Sequence, residues 1–259
     1  MPQANPVPSL HRCQCRSFPA TLPDLNMAFQ PIVDVQTGRT PGYEALVRGP
    51  QGQDAAWVFR QILPGQEYAL DQACRTLAIR TAARLRLSGR LSINFLPGAV
   101  YEPQACLQQT LRAARDSAFP LNRLMFEVVE HEQVPDPPHV RAIIDTYRAH
   151  GFLTALDDFG AGHATPALLM ALRPDVVKLD RHFVQAAPQD AGTALRIRDM
   201  VHYARQSGLH VIAEGIETVQ EARVLRRLGV TLMQGYYFAR PALGTLPAVA
   251  SERIRDCYD

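Results

Sequence analysis

Short apolar runs alternate with longer amphipathic stretches along most of this chain. The runs at 91–95, 124–129, 152–156, 176–179, 211–213 and 232–238 are too short for helices and read as buried strands. Between them, 103–117, 138–150, 191–207 and 219–228 repeat apolar residues at helical spacing. Upstream, 27–35 is apolar and β-branched, Thr37-Gly38 turns the chain, and 42–47 reads as a second strand. The first two strands are therefore expected to form a hairpin. A loop is expected after Gly49-Pro50, then a helix over 66–86 carrying Leu70, Leu77, Ile79 and Leu85. Strands alternating with helices predict an α/β fold with a parallel sheet covered by helices. About eight strands in this length favour a closed barrel of the (β/α)8 type. No Gly-x-Gly-x-x-Gly follows the first strand to argue for an open dinucleotide-binding sheet.

Residues 1–22 lack periodicity and carry Pro2, Pro6, Pro8 and Pro19, so they read as an N-terminal tail. Residues 23–259 read as one barrel domain without an internal repeat. In the tail, His11, Cys13 and Cys15 offer three zinc-type ligands with no obvious fourth. The 47% apolar content suffices for a large core without disulfides. A net charge of +2 gives no field that would draw DNA, RNA or an anionic membrane. No apolar run approaches the roughly 18 residues of a membrane helix, and the first residues lack the apolar region of a secretory signal. Five cysteines without regular spacing fit a reducing compartment. The expected location is the cytoplasm.

Polar residues recur at the C-terminal ends of the expected strands. They run Glu44, Asn94, Glu127 with Glu130, Asp157 with Asp158, Lys178, Glu214 with Glu217, and Gln234. Each has a plain structural explanation as a cap, turn former or surface charge. Together they mark one level of a barrel, the rim where active sites are built. Unpaired charges pooled there are costly unless paired or metal-bound. Asp157 and Asp158 sharpen the point, because neighbours on a regular strand face opposite ways. If the strand ends at Leu156 and the backbone turns, both carboxylates can meet at one point, which a divalent cation would stabilise. The candidate ligand atoms are hard oxygens, which favours magnesium or manganese over zinc. An oxygen-rich site with room for two such ions suits phosphoester hydrolysis.

The ordered set Gln30-Pro31-Ile32, Glu44-Ala45-Leu46-Val47-Arg48, Asn94, Glu127-Val128-Val129-Glu130, Asp157-Asp158-Phe159-Gly160-Ala161-Gly162, Lys178-Leu179-Asp180, Ala213-Glu214-Gly215-Ile216-Glu217 and Gln234-Gly235-Tyr236 resembles the EAL domain. That family comprises bacterial phosphodiesterases that linearise cyclic di-GMP, and the resemblance covers roughly 25–241. It implies a modified TIM-type (β/α)8 barrel with an antiparallel first strand. It also implies hydrolysis of cyclic di-GMP to linear 5′-pGpG by a metal-activated water. Glu44, Asn94, Glu127, Asp157 and Asp158 match the ligands of two Mg²⁺ or Mn²⁺ ions; the larger Ca²⁺ is expected to bind there and inhibit, by its size. Lys178 matches the lysine beside the attacking water, and Glu214 an acid near the metals. Glu130 matches the glutamate that steadies the loop after the paired aspartates. Gln30, Leu46, Arg48, Asp180 and Gln234 match substrate-binding positions, and a homodimer is implied.

Three departures stand out. His163-Ala164-Thr165-Pro166 replaces an aromatic-serine-serine run, Val129 replaces a threonine, and the segment between Arg48 and Asp71 is short. Thr165-Pro166 remains a good helix start. A cyclic di-GMP receptor or protein-interaction module on the same fold is the rival expectation, and the complete ligand set favours an enzyme. A glycosidase using Glu127 and Glu214 fits poorly, since that chemistry needs no metal cluster.

Overall fold

The computed structural model describes residues 22–100, 102–128, 136–162 and 164–258. The expected tail, with His11, Cys13 and Cys15, lies almost wholly outside the described residues, as do Val129, Glu130 and His163. The first strand, β1 (Asn26–Asp34), pairs antiparallel with β2 (Arg39–Arg48), forming the expected hairpin. The chain then adds β3 (Arg90–Phe95), β4 (Leu124–Val128), β5 (Leu153–Phe159), β6 (Val176–Leu179), β7 (His210–Ala213) and β8 (Leu232–Met233), each parallel to its predecessor. Antiparallel pairing of β8 with Val33 and Asp34 of β1 closes an eight-strand barrel. A short strand, β9 (Ala242–Leu243), pairs outside it with Ala28 and Phe29.

The long amphipathic stretches become α2 (Glu67–Arg84), α3 (Pro103–Asp116), α4 (Pro137–Ala149), α7 (Ala191–Ser207) and α8 (Val219–Arg227). Thr165 caps α5 (Pro166–Leu172) through its side chain, as expected. Two short helices lie where the periodicity was too brief to register. One is α1 (Ala55–Gln61), inside the expected loop and capped by Asp54; the other is α6 (Arg181–Ala186), capped by Asp180. A final turn, α9 (Ser251–Arg255), follows β9.

Strand alternation divides the apolar residues into two cores. Leu91, Ile93, Phe95, Phe126, Val128, Leu156, Val177, Leu179 and Ala213 belong to the layer between barrel and helices. Within that layer Arg75 of α2 is fully buried among the rings of Phe95, Phe126 and Tyr147. Its Nε lies 2.7 Å from Asp71 Oδ2, and its Nη1 donates to the Tyr147 hydroxyl at 2.6 Å. The second core fills the barrel floor with Ile32, Met125, Ala155, Val176 and Ile212, flanked by Leu153 and Leu232.

Candidate active site

The polar rim stands one inward step above that floor. Two residues beyond Met125, Ala155, Val176, Ile212 and Leu232 come Glu127, Asp157, Lys178, Glu214 and Gln234. Because β1 runs backwards, its counterpart precedes the floor residue: Gln30 before Ile32, opposite Glu44 in the hairpin register. The period of a strand thus sets an apolar layer beneath a charged one.

Asp157 and Asp158 meet by a route the sequence did not show. The strand does not end at Leu156; β5 runs on to Phe159, with its register to β6 shifting between Leu156 and Phe159. Within that irregularity Asp158 adopts φ +52°, a left-handed conformation uncommon outside glycine. The bulge cancels the alternation, and Asp157, Asp158 and Glu214 each bring an oxygen within 4.8 Å of the others. Glu214 therefore stands beside both aspartates.

At the centre lies the ammonium of Lys178, 1% exposed. Its Nζ is 2.7 Å from Glu127, 3.4 Å from Asp157 and 3.7 Å from Glu44, and it also contacts Glu214. Burial pulls the Lys178 ammonium down, but the surrounding carboxylates outweigh it and hold the group well above the ordinary lysine range. Burial pushes the Glu127 carboxyl up to about 8, opposed by Lys178 and aided by Glu44 and Asp157. Burial likewise raises Glu214 well above a normal glutamate, against the pull of Lys178. At Glu44 burial is overcome by Lys178 and by hydrogen bonds from Asn94 and Gln234, and its carboxyl is lowered.

Hydrogen bonds fix the rest. Asn94 Nδ2 donates to Glu44 Oε1 at 2.8 Å, and Gln234 Nε2 donates to Glu44 Oε2 at 2.6 Å and to Gln30 Oε1 at 3.0 Å. The Gln234 Oε1 atom is buried without a partner among the described residues. Gln30, Glu44, Leu46, Asp158, Asp180, Glu214 and Gln234 line one cavity of about 220 Å³. Asn94 and Asp157 line a second, largely apolar cavity of about 200 Å³, which shares Leu46 and Asp158 with the first. Arg48 lines neither, and its Nη1 donates to the carbonyl of Val47 at 2.8 Å. Asp180 both lines the first cavity and caps α6, accepting from the His182 amide at 2.8 Å.

The sequence pattern assigns no role to Arg181 or Tyr236, which line the first cavity, or to Ser92, whose hydroxyl donates to Glu127 Oε1. Ser92 had a signal: it is the inward position on β3 below Asn94. Arg181 had none, since its side chain reaches the site by lying over Gly215, where a Cβ would come within 2.3 Å of its Cγ.

Four carboxylates, Glu44, Glu127, Asp157 and Glu214, thus gather around one ammonium, and Asp158 joins Asp157 and Glu214. Burial first, and the neighbouring carboxylates second, raise Glu127 and Glu214 against the pull of Lys178. Such an all-oxygen donor set fits hard divalent cations.

The family model described as EAL domain matches residues 19–241. The chain belongs to the EAL domain family. Among solved structures, a standalone versatile EAL protein from Vibrio cholerae O395, in its c-di-GMP-bound form, is 40% identical with a TM-score of 0.86. That match covers 92% of this EAL chain and 99% of the Vibrio chain. A manganese/cy-diGMP complex of Klebsiella pneumoniae BlrP1 at pH 6 is 29% identical with a TM-score of 0.83, over 90% of this chain and 59% of that one. The cyclic di-GMP phosphodiesterase PdeL of Escherichia coli (strain K12) is 31% identical over 233 residues, or 83% of this chain. The chain spans 62% of PdeL's length. Among the described residues, no helix of this EAL chain is long and apolar enough to cross a membrane.

Proposed function

We propose that this chain is a cyclic di-GMP phosphodiesterase that opens the cyclic dinucleotide to linear 5′-pGpG in the presence of Mg²⁺ or Mn²⁺. The observation that carries it is the convergence of Asp157, Asp158 and Glu214 on one point at the barrel rim, beside a buried Lys178. The similarity to the c-di-GMP-bound Vibrio protein, to BlrP1 in complex with cy-diGMP and to the phosphodiesterase PdeL supports the choice of substrate.

Glu44, Asn94, Glu127, Asp157 and Asp158 would hold the cations, with Glu214 beside them. When bound, such ions supply Lewis acidity that makes water nucleophilic near neutral pH and neutralise charge building on the phosphate. Lys178, whose Nζ lies among Glu127, Asp157 and Glu214, is placed to orient the nucleophile. Asn94 and Gln234 fix the Glu44 carboxylate from either side. The unpartnered Gln234 Oε1 offers an acceptor for a substrate N–H group. Leu46, shared by both cavities, gives apolar cover to a base. Arg48 spends one of its five N–H donors on the Val47 carbonyl and keeps the others for the substrate.

The test is incubation with cyclic di-GMP and Mg²⁺ or Mn²⁺, with and without EDTA, followed by separation of products. Linear pGpG formed only with metal is expected. Tight binding without turnover would instead identify a receptor on the same fold.

A further inference from the structure

Ser92 stands outside the predicted site, yet it touches its most deeply buried acid. Its residue is fully buried on β3, as is Glu127 on β4. In the β2–β3 and β3–β4 registers Ser92 lies opposite Glu44 and Met125, one inward step below Asn94, which lies opposite Glu127. From there its Oγ donates to Glu127 Oε1, while Lys178 Nζ takes Oε2 at 2.7 Å. The two carboxylate oxygens are thereby divided between a neutral hydroxyl fixed to a barrel strand and a cation on the inner side.

We infer that Ser92 is a positioning residue that limits Glu127 to one coordinating oxygen and so biases the site toward small octahedral cations over calcium. This rests on Glu127 being a metal ligand. A hydroxyl on a barrel strand has little freedom to move aside, and a buried carboxylate oxygen released from it would lack a partner. Magnesium-like ions need near-ideal octahedral geometry, whereas calcium takes 6–8 oxygens and readily accepts both oxygens of one carboxylate. Ser92 lies one step below the rim, so its bond draws Oε1 toward the barrel floor and withholds the second bond that calcium would use. Oε2 keeps a lone pair beside Lys178. The hydroxyl also orients the ligand, the kind of support whose loss typically costs about 10–100-fold in metal affinity.

The experiment measures Mn²⁺ and Ca²⁺ affinities by calorimetry, without substrate, for the wild-type chain, Ser92→Ala and Ser92→Cys. The cysteine variant keeps the volume but donates poorly. Metal-free thermal unfolding is followed in parallel. Both variants are expected to bind Mn²⁺ about tenfold or more weakly, to bind Ca²⁺ at least as well as wild type, and to keep the metal-free Tm within a few degrees. Unchanged Mn²⁺ affinity, or an equal fall for both ions, overturns the inference while leaving the metal reading intact. Loss of the metal-free fold in both variants makes Ser92 structural and overturns it too. A wild-type chain that binds neither ion defeats the metal reading itself, and the inference with it.

Discussion

Lys178 and Glu127 face each other inside the barrel, Nζ to Oε2 at 2.7 Å, from the two strands that flank the one carrying Asp157. The contact places a fixed positive charge beside Asp157, 3.4 Å away. It also makes Lys178 a group that serves both the metal-free fold and the proposed reaction.

Replacing that lysine should separate the two roles. Lys178→Ala leaves buried carboxylates without a counter-charge, which for a buried pair costs roughly 3–5 kcal/mol. The metal-free Tm should therefore fall, and Mn²⁺ should restore much of it. With metal saturating, kcat should drop on the order of a hundredfold or more while KM changes little. A loss carried wholly by KM would make Lys178 a substrate-binding residue.

Metal loading should release protons. In the metal-free chain Glu127 titrates at about 8, against an ordinary 4.5, and Glu214 is also raised. Below those values both acids hold protons that a cation must displace. Affinity for Mn²⁺ should consequently climb as pH rises from 5 through about 8. Calorimetry at pH 7 in two buffers of different ionisation enthalpy reads the protons directly; identical heats would contradict the buried-acid account.

Gly235 should tolerate no side chain. A Cβ there would lie 2.1 Å from the carbonyl oxygen of Ile216 and 2.3 Å from its amide nitrogen, both backbone atoms that cannot swing aside. Gly235→Ala should cost about 1–3 kcal/mol as overpacking and displace the neighbouring Gln234 from Glu44. Urea unfolding and the KM for cyclic di-GMP report the two effects. Wild-type values for both would mean that this crossing is loose.

Calcium should permit binding and block turnover. The donor set is open to any hard divalent ion, but calcium sits at about 2.3–2.6 Å from its ligands and magnesium at about 2.0–2.1 Å. A nucleophile misplaced by about 1 Å can cost on the order of a hundredfold. Cyclic di-GMP titrated into calcium-loaded protein should bind, and hydrolysis in the same buffer should be slower by that factor. Hydrolysis at the magnesium rate would remove ion size from the mechanism.

By itself the sequence determined the strand–helix alternation, the hairpin start and the ring of polar residues, because each is written in local periodicity. Met125 and Glu127, or Val176 and Lys178, are two residues apart, and the pleat alone puts both on one face. Tertiary structure decided the rest, through contacts between residues far apart in the chain. The bulge that brings Asp157 and Asp158 together depends on the register of β5 against β6. The last strand, expected over 232–238, stops at Met233, and just beyond it Gly235 crosses the backbone of Ile216, a neighbour supplied by the turn after β7. Arg48 turns to the Val47 carbonyl, while Ser92 gains its acid across β3 and β4. Periodicity decides which face a side chain occupies, whereas its partner there is set by how the barrel closes.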